Sequence, residues 1–248
     1  MPSPGSREYV EYWLKTYSLI RLFMGYSYYL DLEAAKIIEE ILAEKAWKGE
    51  LVTLDDLCSM IDGRNICIIG GGESAEFQIA AKECDSFIAA DGAATLILKH
   101  SLQRPVVVVG DLDGSWHGYL WAQKSLGGKA KFVIHAHGDN IGALKTLVRR
   151  LRGVAGTVQV RPLGDYSLIL GGFTDGDRCL FLALHCKPAE LAFTGMDFAS
   201  KTGWWSKPFL KANTPPWPTK KVKLYIAMHL FKLGLQYAEN HGLRVKSL

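Results

Sequence analysis

Short β-branched runs recur through the middle of this chain at Ile66–Ile69, Phe87–Ala90, Val106–Val109, Phe132–His135, Thr157–Val160, Leu168–Leu170 and Leu191–Phe193. Most are apolar on successive positions and not on alternate ones, which marks strands covered on both faces. Segments of helical character lie between them, near 74–83, 93–101, 115–126, 139–152 and 176–187. Strand followed by helix, repeated, predicts an α/β fold with a doubly wound, mostly parallel sheet.

The flanks read differently. Leu32, Ala35, Ile38, Ile41, Leu42 and Ala46 recur at helical spacing among charged residues, so 1–62 is expected to be a helical N-terminal region and 63–248 the α/β domain. After Met196 the chain turns to tryptophan, proline and lysine, then to an amphipathic helix from about Lys221 to Asn240. A loop folding over something, closed by a helix, is the expectation there.

With 248 residues, 48% of them hydrophobic and 22% charged, the chain can bury a full core, which excludes disorder. A net charge of +4, clustered only at Arg149/Arg150/Arg152 and Lys220/Lys221/Lys223, gives no nucleic-acid footprint. No apolar stretch approaches the roughly 18 residues of a membrane span, and the first residues carry no signal core, so a cytoplasmic location is expected. The five cysteines (58, 67, 84, 179 and 186) show no C-x-x-C spacing and sit mostly in apolar runs. Buried free thiols in a reducing compartment are the expectation.

Nearly every central strand ends in glycine and aspartate: Ala90-Asp91-Gly92-Ala93, Gly110-Asp111-Leu112-Asp113-Gly114, His135-Ala136-His137-Gly138-Asp139-Asn140, Gly171-Gly172-Phe173-Thr174-Asp175-Gly176-Asp177 and Thr194-Gly195-Met196-Asp197. Parallel strands bring these ends to one edge, where open α/β folds bind ligands. Asp91, Asp111, Asp113, Asp139, Asp175 and Asp197 would gather at one crevice, and such carboxylates repel one another unless a cation neutralises them. Oxygen ligands without histidine or cysteine pairs favour Mg²⁺ over zinc. The flanking glycines of Gly110-Asp-Leu-Asp-Gly would let the backbone bend so that both aspartates face one metal. Singly, each aspartate is as well read as a turn former or helix N-cap; jointly, at successive strand ends, that bland reading fails.

Gly70-Gly71-Gly72-Glu73-Ser74 follows the first central strand, so its bare amides and a helix start could cradle phosphate, or merely make a tight turn. Lys220 and Lys221 at the start of the last helix oppose its dipole, a conflict that a polyphosphate would relieve. His135 and His137 are placed to act on a hydroxyl or bond phosphate oxygens. Trp204, Trp205 and Trp217 would stack on a heterocycle or anchor their loop. Arg178 is expected to pair with Asp177 in preference to phosphate, and Asn140 to bind ligand or cap a helix.

Taken in order, the Ala-Asp-Gly-Ala, Gly-Asp-Leu-Asp-Gly, His-Ala-His-Gly-Asp-Asn and Gly-Gly-Phe-Thr-Asp-Gly-Asp-Arg segments resemble the archaeal 6-hydroxymethyl-7,8-dihydropterin pyrophosphokinases over roughly residues 60–240. That family in turn resembles thiamine pyrophosphokinase, from which this chain departs at Gly114, where the relative has serine. The resemblance implies ATP and Mg²⁺ as co-substrates, AMP as a product and a hydroxymethyl-dihydropterin as acceptor. Carried over residue by residue, it implies a metal role for Asp91, Asp111, Asp113 and Asp139. Together with the residue reading above, the expected site has the metal on Asp91, Asp111 and Asp113, catalysis by Asp111, Asp113 and Asp139, and binding of the co-substrate by Gly71, Gly72, Asp91, Gly92, His135, His137, Asn140, Thr174, Asp175, Lys220 and Lys221. Thiamine pyrophosphokinase, a metal-dependent glycosyltransferase and a nucleotide-sensing module stand as rivals, and a homodimer through the N-terminal helices stays open.

Overall fold

A computed structural model describes residues 1–75, 82–99, 104–114, 116–198 and 214–248. Its centre is an eight-stranded sheet: β1 (Asn65–Ile69), β2 (Ser86–Ala90), β3 (Val106–Gly110), β4 (Ala130–Ala136), β5 (Val154–Val158), β6 (Ser167–Leu168), β7 (Glu190–Thr194) and β8 (Arg244–Ser247). The strands run in the order β6-β5-β4-β3-β2-β1-β7-β8, and every neighbouring pair is parallel. β2, β3 and β5 are buried at every position, as a sheet covered on both faces requires. The chain moves outward from β1 to β6 and then returns to place β7 on the other side of β1. That reversal makes the β1/β7 boundary the topological switch point, where such folds open a crevice.

Eight α-helices accompany the strands among the described residues: α1 (Arg7–Met24), α2 (Tyr28–Trp47), α3 (Leu54–Ser59), α4 (Ala94–Lys99), α5 (Trp116–Leu126), α6 (Ile141–Leu147), α7 (Asp175–Cys186) and α8 (Pro218–Asn240). Ser6 caps α1, Ser27 caps α2, and Thr53 forms a capping box with Asp56 on α3, so local chemistry starts each N-terminal helix. Between the first two, Gly25 takes the left-handed conformation (φ 70°) that ends α1 and turns the chain into α2. Ala34, Ala35, Ile38, Ile41 and Leu42 are fully buried and belong to the same core cluster as the strands. α2 rests on β5 so closely that a side chain at Gly156 would collide with Leu42 and come within 2.9 Å of Ile38. The expected boundary at 62/63 falls in the link between α3 and β1.

Several sequence expectations shift. β5 starts three residues earlier than its predicted run, because the turn at Gly153 brings Val154 into the ladder beside Phe132. β8 was not foreseen; Arg244–Ser247 is mostly exposed and pairs as an edge strand with β7. Most of the helix expected over 74–83, and Trp204 and Trp205, lie outside the described residues.

The thiol expectation is overturned. Cys58 and Cys186 form one disulfide, Cys67 and Cys84 another, leaving Cys179 as the buried free thiol. The first pair is 128 residues apart in the chain and 4.6 Å apart at Cα, because α3 packs against α7. Proximity of that kind arises from folding, and spacing alone could not reveal it. No helix among the described residues is long and apolar enough to cross a membrane.

Candidate functional site

The carboxyl ends of β1, β2, β3, β4 and β7, with the start of α7, form one crevice. Asp91 follows β2 directly, buried and held at a positive φ of 45°, a conformation aspartate tolerates better than most residues. Tyr119 of α5 donates its hydroxyl to Asp91 Oδ1 at 2.7 Å, and burial followed by the Asp91 charge pushes that phenol well above its usual range. Leu112 also takes a left-handed turn (φ 68°) and lets the Asp113 amide donate to Asp111 Oδ1 at 3.0 Å. The bend therefore sits at Leu112 and not at the flanking glycines, which serve a different need. A Cβ at Gly110 would overlap the Tyr119 hydroxyl, and one at Gly114 would overlap Asp91 Oδ2. Glycine is there to let the loop approach the buried carboxylate.

Asp175 enters from the first turn of α7, whose N-terminus is set by a reciprocal capping box between Thr174 and Asp177. Ligand oxygens of Asp91, Asp111 and Asp175 all lie within 4.8 Å of one another. Burial, then the charges of Asp111, Asp91 and Asp113, raise the Asp175 carboxyl well above the usual carboxylate range. Three oxygen donors so close are a repulsive arrangement alone and a suitable one for a hard divalent cation. The trio differs from the expected one: Asp175 replaces Asp113, which is exposed beside the cluster, and Asp139 is likewise exposed. The sequence placed Asp175 at the crevice as a residue binding the co-substrate; its position in the close acidic trio depends on how the loop before α7 turns.

His137 Nδ1 accepts from the Asp139 amide at 3.3 Å, so in neutral imidazole the proton sits on Nε2, which lies 3.2 Å from Asp111 Oδ2. His137 thus orients Asp111. His135 is buried with Nδ1 3.0 Å from the Thr157 hydroxyl; burial, then the nearby Arg178 and His137, drive its pKa well below the usual value and keep the ring neutral. Asn140 spends its amide inside the protein, donating to the carbonyls of Asp111 and His135 and accepting from the His137 amide, so it staples two strand-end loops together. Arg178 departs from its expected pairing. Both Asp177 oxygens are taken up by the Phe173 and Thr174 amides and the Thr174 hydroxyl. The buried guanidinium donates instead to Tyr17 and to the Gly171 and Phe173 carbonyls, fixing the loop before α7.

Two cavities meet at the cluster. The first, at the switch point, is lined by Gly70, Gly71, Gly72, Asp91, Asp197 and Lys220, among others. Its glycine loop does not offer the bare amides expected from the sequence at every position. Gly70 and Gly72 donate to the carbonyls of Thr194 and Gly195, and Ser74 is clamped by Asp197 through amide and hydroxyl. Side chains at Gly70 or Gly72 would strike Gly195 or Asp197, so close strand-end packing explains these glycines. The second cavity, about 280 Å³, is bounded by Tyr26, Asp31, Asp113, His135, His137 and Asp139, with Phe173 and Lys223. Thr174, Asp175 and Lys220 line both. Lys220 and Lys223 share a helix face toward the crevice, whereas Lys221 is exposed and lines neither cavity. Gly92 is buried in the turn after Asp91 and Trp217 is exposed at the start of α8; neither lines the cavities.

Fold and site define a class: a parallel α/β protein with a carboxylate-rich ligand crevice at the carboxyl edge of its sheet. Residues 45–203 match the family described as 6-hydroxymethylpterin diphosphokinase MptE-like, and the chain belongs to that family. Relatives named 6-hydroxymethyl-7,8-dihydropterin pyrophosphokinase include one from Pyrococcus furiosus, 39% identical over 94% of this chain and 95% of its own length. Those from Methanocaldococcus jannaschii and Methanothermobacter thermautotrophicus are 33% and 31% identical, over 85% and 94% of this chain and 89% and 96% of their own lengths.

Proposed function

We propose that this protein transfers a diphosphate from ATP to the hydroxymethyl group of 6-hydroxymethyl-7,8-dihydropterin, releasing AMP. The observation that carries the reading is the pair of cavities joined at Asp175, Thr174 and Lys220 beside the Asp91/Asp111/Asp175 cluster. Two substrates that exchange a charged group need such a junction. The names of relatives aligned over nearly the whole chain supply the substrate class.

On this reading the nucleotide occupies the switch-point cavity and the pterin alcohol the second one. The alcohol oxygen attacks the β-phosphorus and releases its proton to solvent; a new oxygen–phosphorus bond forms as the bond from the β-phosphorus to the α,β-bridging oxygen breaks, and AMP departs with that oxygen. Asp91, Asp111 and Asp175 would hold Mg²⁺, an all-oxygen set suited to that ion. Bound there, Mg²⁺ supplies neutralisation of charge on the phosphate oxygens. Lys220, reaching both cavities, adds positive charge where the transferred group passes. His137 holds Asp111 in orientation, and Tyr119 does the same for Asp91. Fixed charges already in place need no reorganisation during reaction.

The test is product analysis with ATP, Mg²⁺ and the pterin alcohol, using mass spectrometry of the pterin and quantification of the nucleotide. AMP and pterin diphosphate in equal amounts are expected. ADP with a monophosphorylated pterin, or turnover of thiamine in its place, would overturn the assignment.

A further inference from the structure

The α1–α2 corner does more than cover the sheet. Its residues lie on the strand-end loop after β4: the Gly138 amide donates to Asp31 Oδ1 at 2.9 Å, and a Cβ on Gly138 would stand 2.6 Å from Leu30 Cβ. That contact makes Tyr26 and Asp31 part of the wall of the second cavity. Both carry an orphaned polar atom. Asp31 is 3% exposed, and its Oδ2 and the Tyr26 hydroxyl are buried with no hydrogen-bond partner among the described residues. Buried side-chain polar atoms are nearly always paired, and a buried carboxylate oxygen left alone is among the costlier exceptions. Two such atoms, on residues that line one cavity, indicate a polar ligand with donors for the carboxylate.

We propose that Asp31 binds the amino-pyrimidinone edge of the acceptor ring, with Tyr26 beside it, so that the N-terminal helical pair supplies the specificity edge of the acceptor pocket. This rests on the acceptor being a pterin alcohol. That edge presents an amino group and an adjacent ring N–H, two parallel donors for an acceptor-only carboxylate. The ring carbonyl next to them accepts from a hydroxyl such as that of Tyr26. Phe173 and His135 line the same cavity. Asp175, Thr174 and Lys220 border it too, so a ring held at Asp31 delivers its hydroxymethyl group to the acidic cluster.

The test uses the full chain with Asp31→Asn, which keeps the shape and an oxygen for the Gly138 amide. Losing a charge-assisted pair raises KM for the pterin alcohol about 10- to 100-fold while KM for ATP stays unchanged. Binding of the pterin without nucleotide, followed by its own fluorescence, weakens by the same factor. Wild-type protein discriminates against an analogue lacking the amino group, and Asp31→Asn loses most of that discrimination. Tyr26→Phe, which removes only a hydroxyl, carries the test independently with a weakening of about 3- to 10-fold. Wild-type-like binding and discrimination in both variants, with wild type converting the pterin alcohol, overturns the role of Asp31 and leaves the proposed reaction standing. Failure of wild type itself to bind or convert pterin alcohols overturns both.

Discussion

Replacing Asp175 with asparagine should stabilise the protein in the absence of divalent cations and make it indifferent to Mg²⁺. The ligand oxygens of Asp91, Asp111 and Asp175 lie within 4.8 Å of one another, so each charged pair costs at least about 3.5 kcal/mol at an effective dielectric constant of about 20. Asp175 faces two such neighbours, and part of that strain is relieved because its carboxyl takes up a proton more readily than usual. Asparagine removes what is left, at the expense of roughly 0.5–1 kcal/mol of favourable charge at the N-terminus of α7. A net gain of about 2 kcal/mol is expected, which raises Tm by about 4–8 °C in a protein of this size. Wild type should gain a comparable amount from saturating Mg²⁺, since a ligand at about 100 times its Kd contributes about 2.7 kcal/mol. The assay is thermal unfolding by circular dichroism with chelator and with Mg²⁺. An unstabilised variant in chelator, together with equal Mg²⁺ responses in both proteins, would refute the reasoning.

Three further outcomes follow from the same structure. Asp111→Asn should lower kcat at least about 100-fold in a coupled AMP assay, the loss typical of a major electrostatic group; near-normal turnover would remove Asp111 from the site. Burial lowers the pKa of His185 to about 4, so between pH 6.5 and 4 the unfolded chain binds a proton that the folded one refuses. Stability from this residue is complete above pH 6.5 and falls by up to about 3 kcal/mol as the pH drops to 4; His185→Leu should flatten that part of the denaturation profile, and an unchanged slope would contradict the assignment. Cys58→Ser opens a disulfide that spans 128 residues and should cost roughly 2–4 kcal/mol in chemical denaturation, whereas a neutral effect would mean the bond does not constrain the unfolded chain.

The fold was legible because Val106–Gly110 and its companions are apolar on both faces, a pattern that only a doubly covered sheet satisfies. Periodicity could not reach β8, since Arg244–Ser247 is an exposed edge strand with no buried face to write into the sequence. Aspartates at strand ends announced the crevice, and Asp91 and Asp111 do lie together in one cluster. Choosing Asp175 over Asp113 needed the direction in which each loop turns, which depends on Leu112 adopting a positive φ that no propensity would suggest. Glycines were read as amide cradles or hinges, but Gly70, Gly72, Gly110 and Gly114 serve close approach between loops distant in sequence. Asp31 escaped notice for the same reason: on α2 it looks like an ordinary first-turn acid until Gly138 is found against it.

Three acidic side chains, just after β2 and β3 and at the start of α7, are placed to hold one divalent cation between the two cavities. Anomalous diffraction from crystals grown with Mn²⁺ and a non-hydrolysable ATP analogue tests it directly. A peak bound by Asp91, Asp111 and Asp175, with the analogue's phosphates beside it, is the expected result. Manganese bound elsewhere, with water filling the space between those carboxylates, would contradict it.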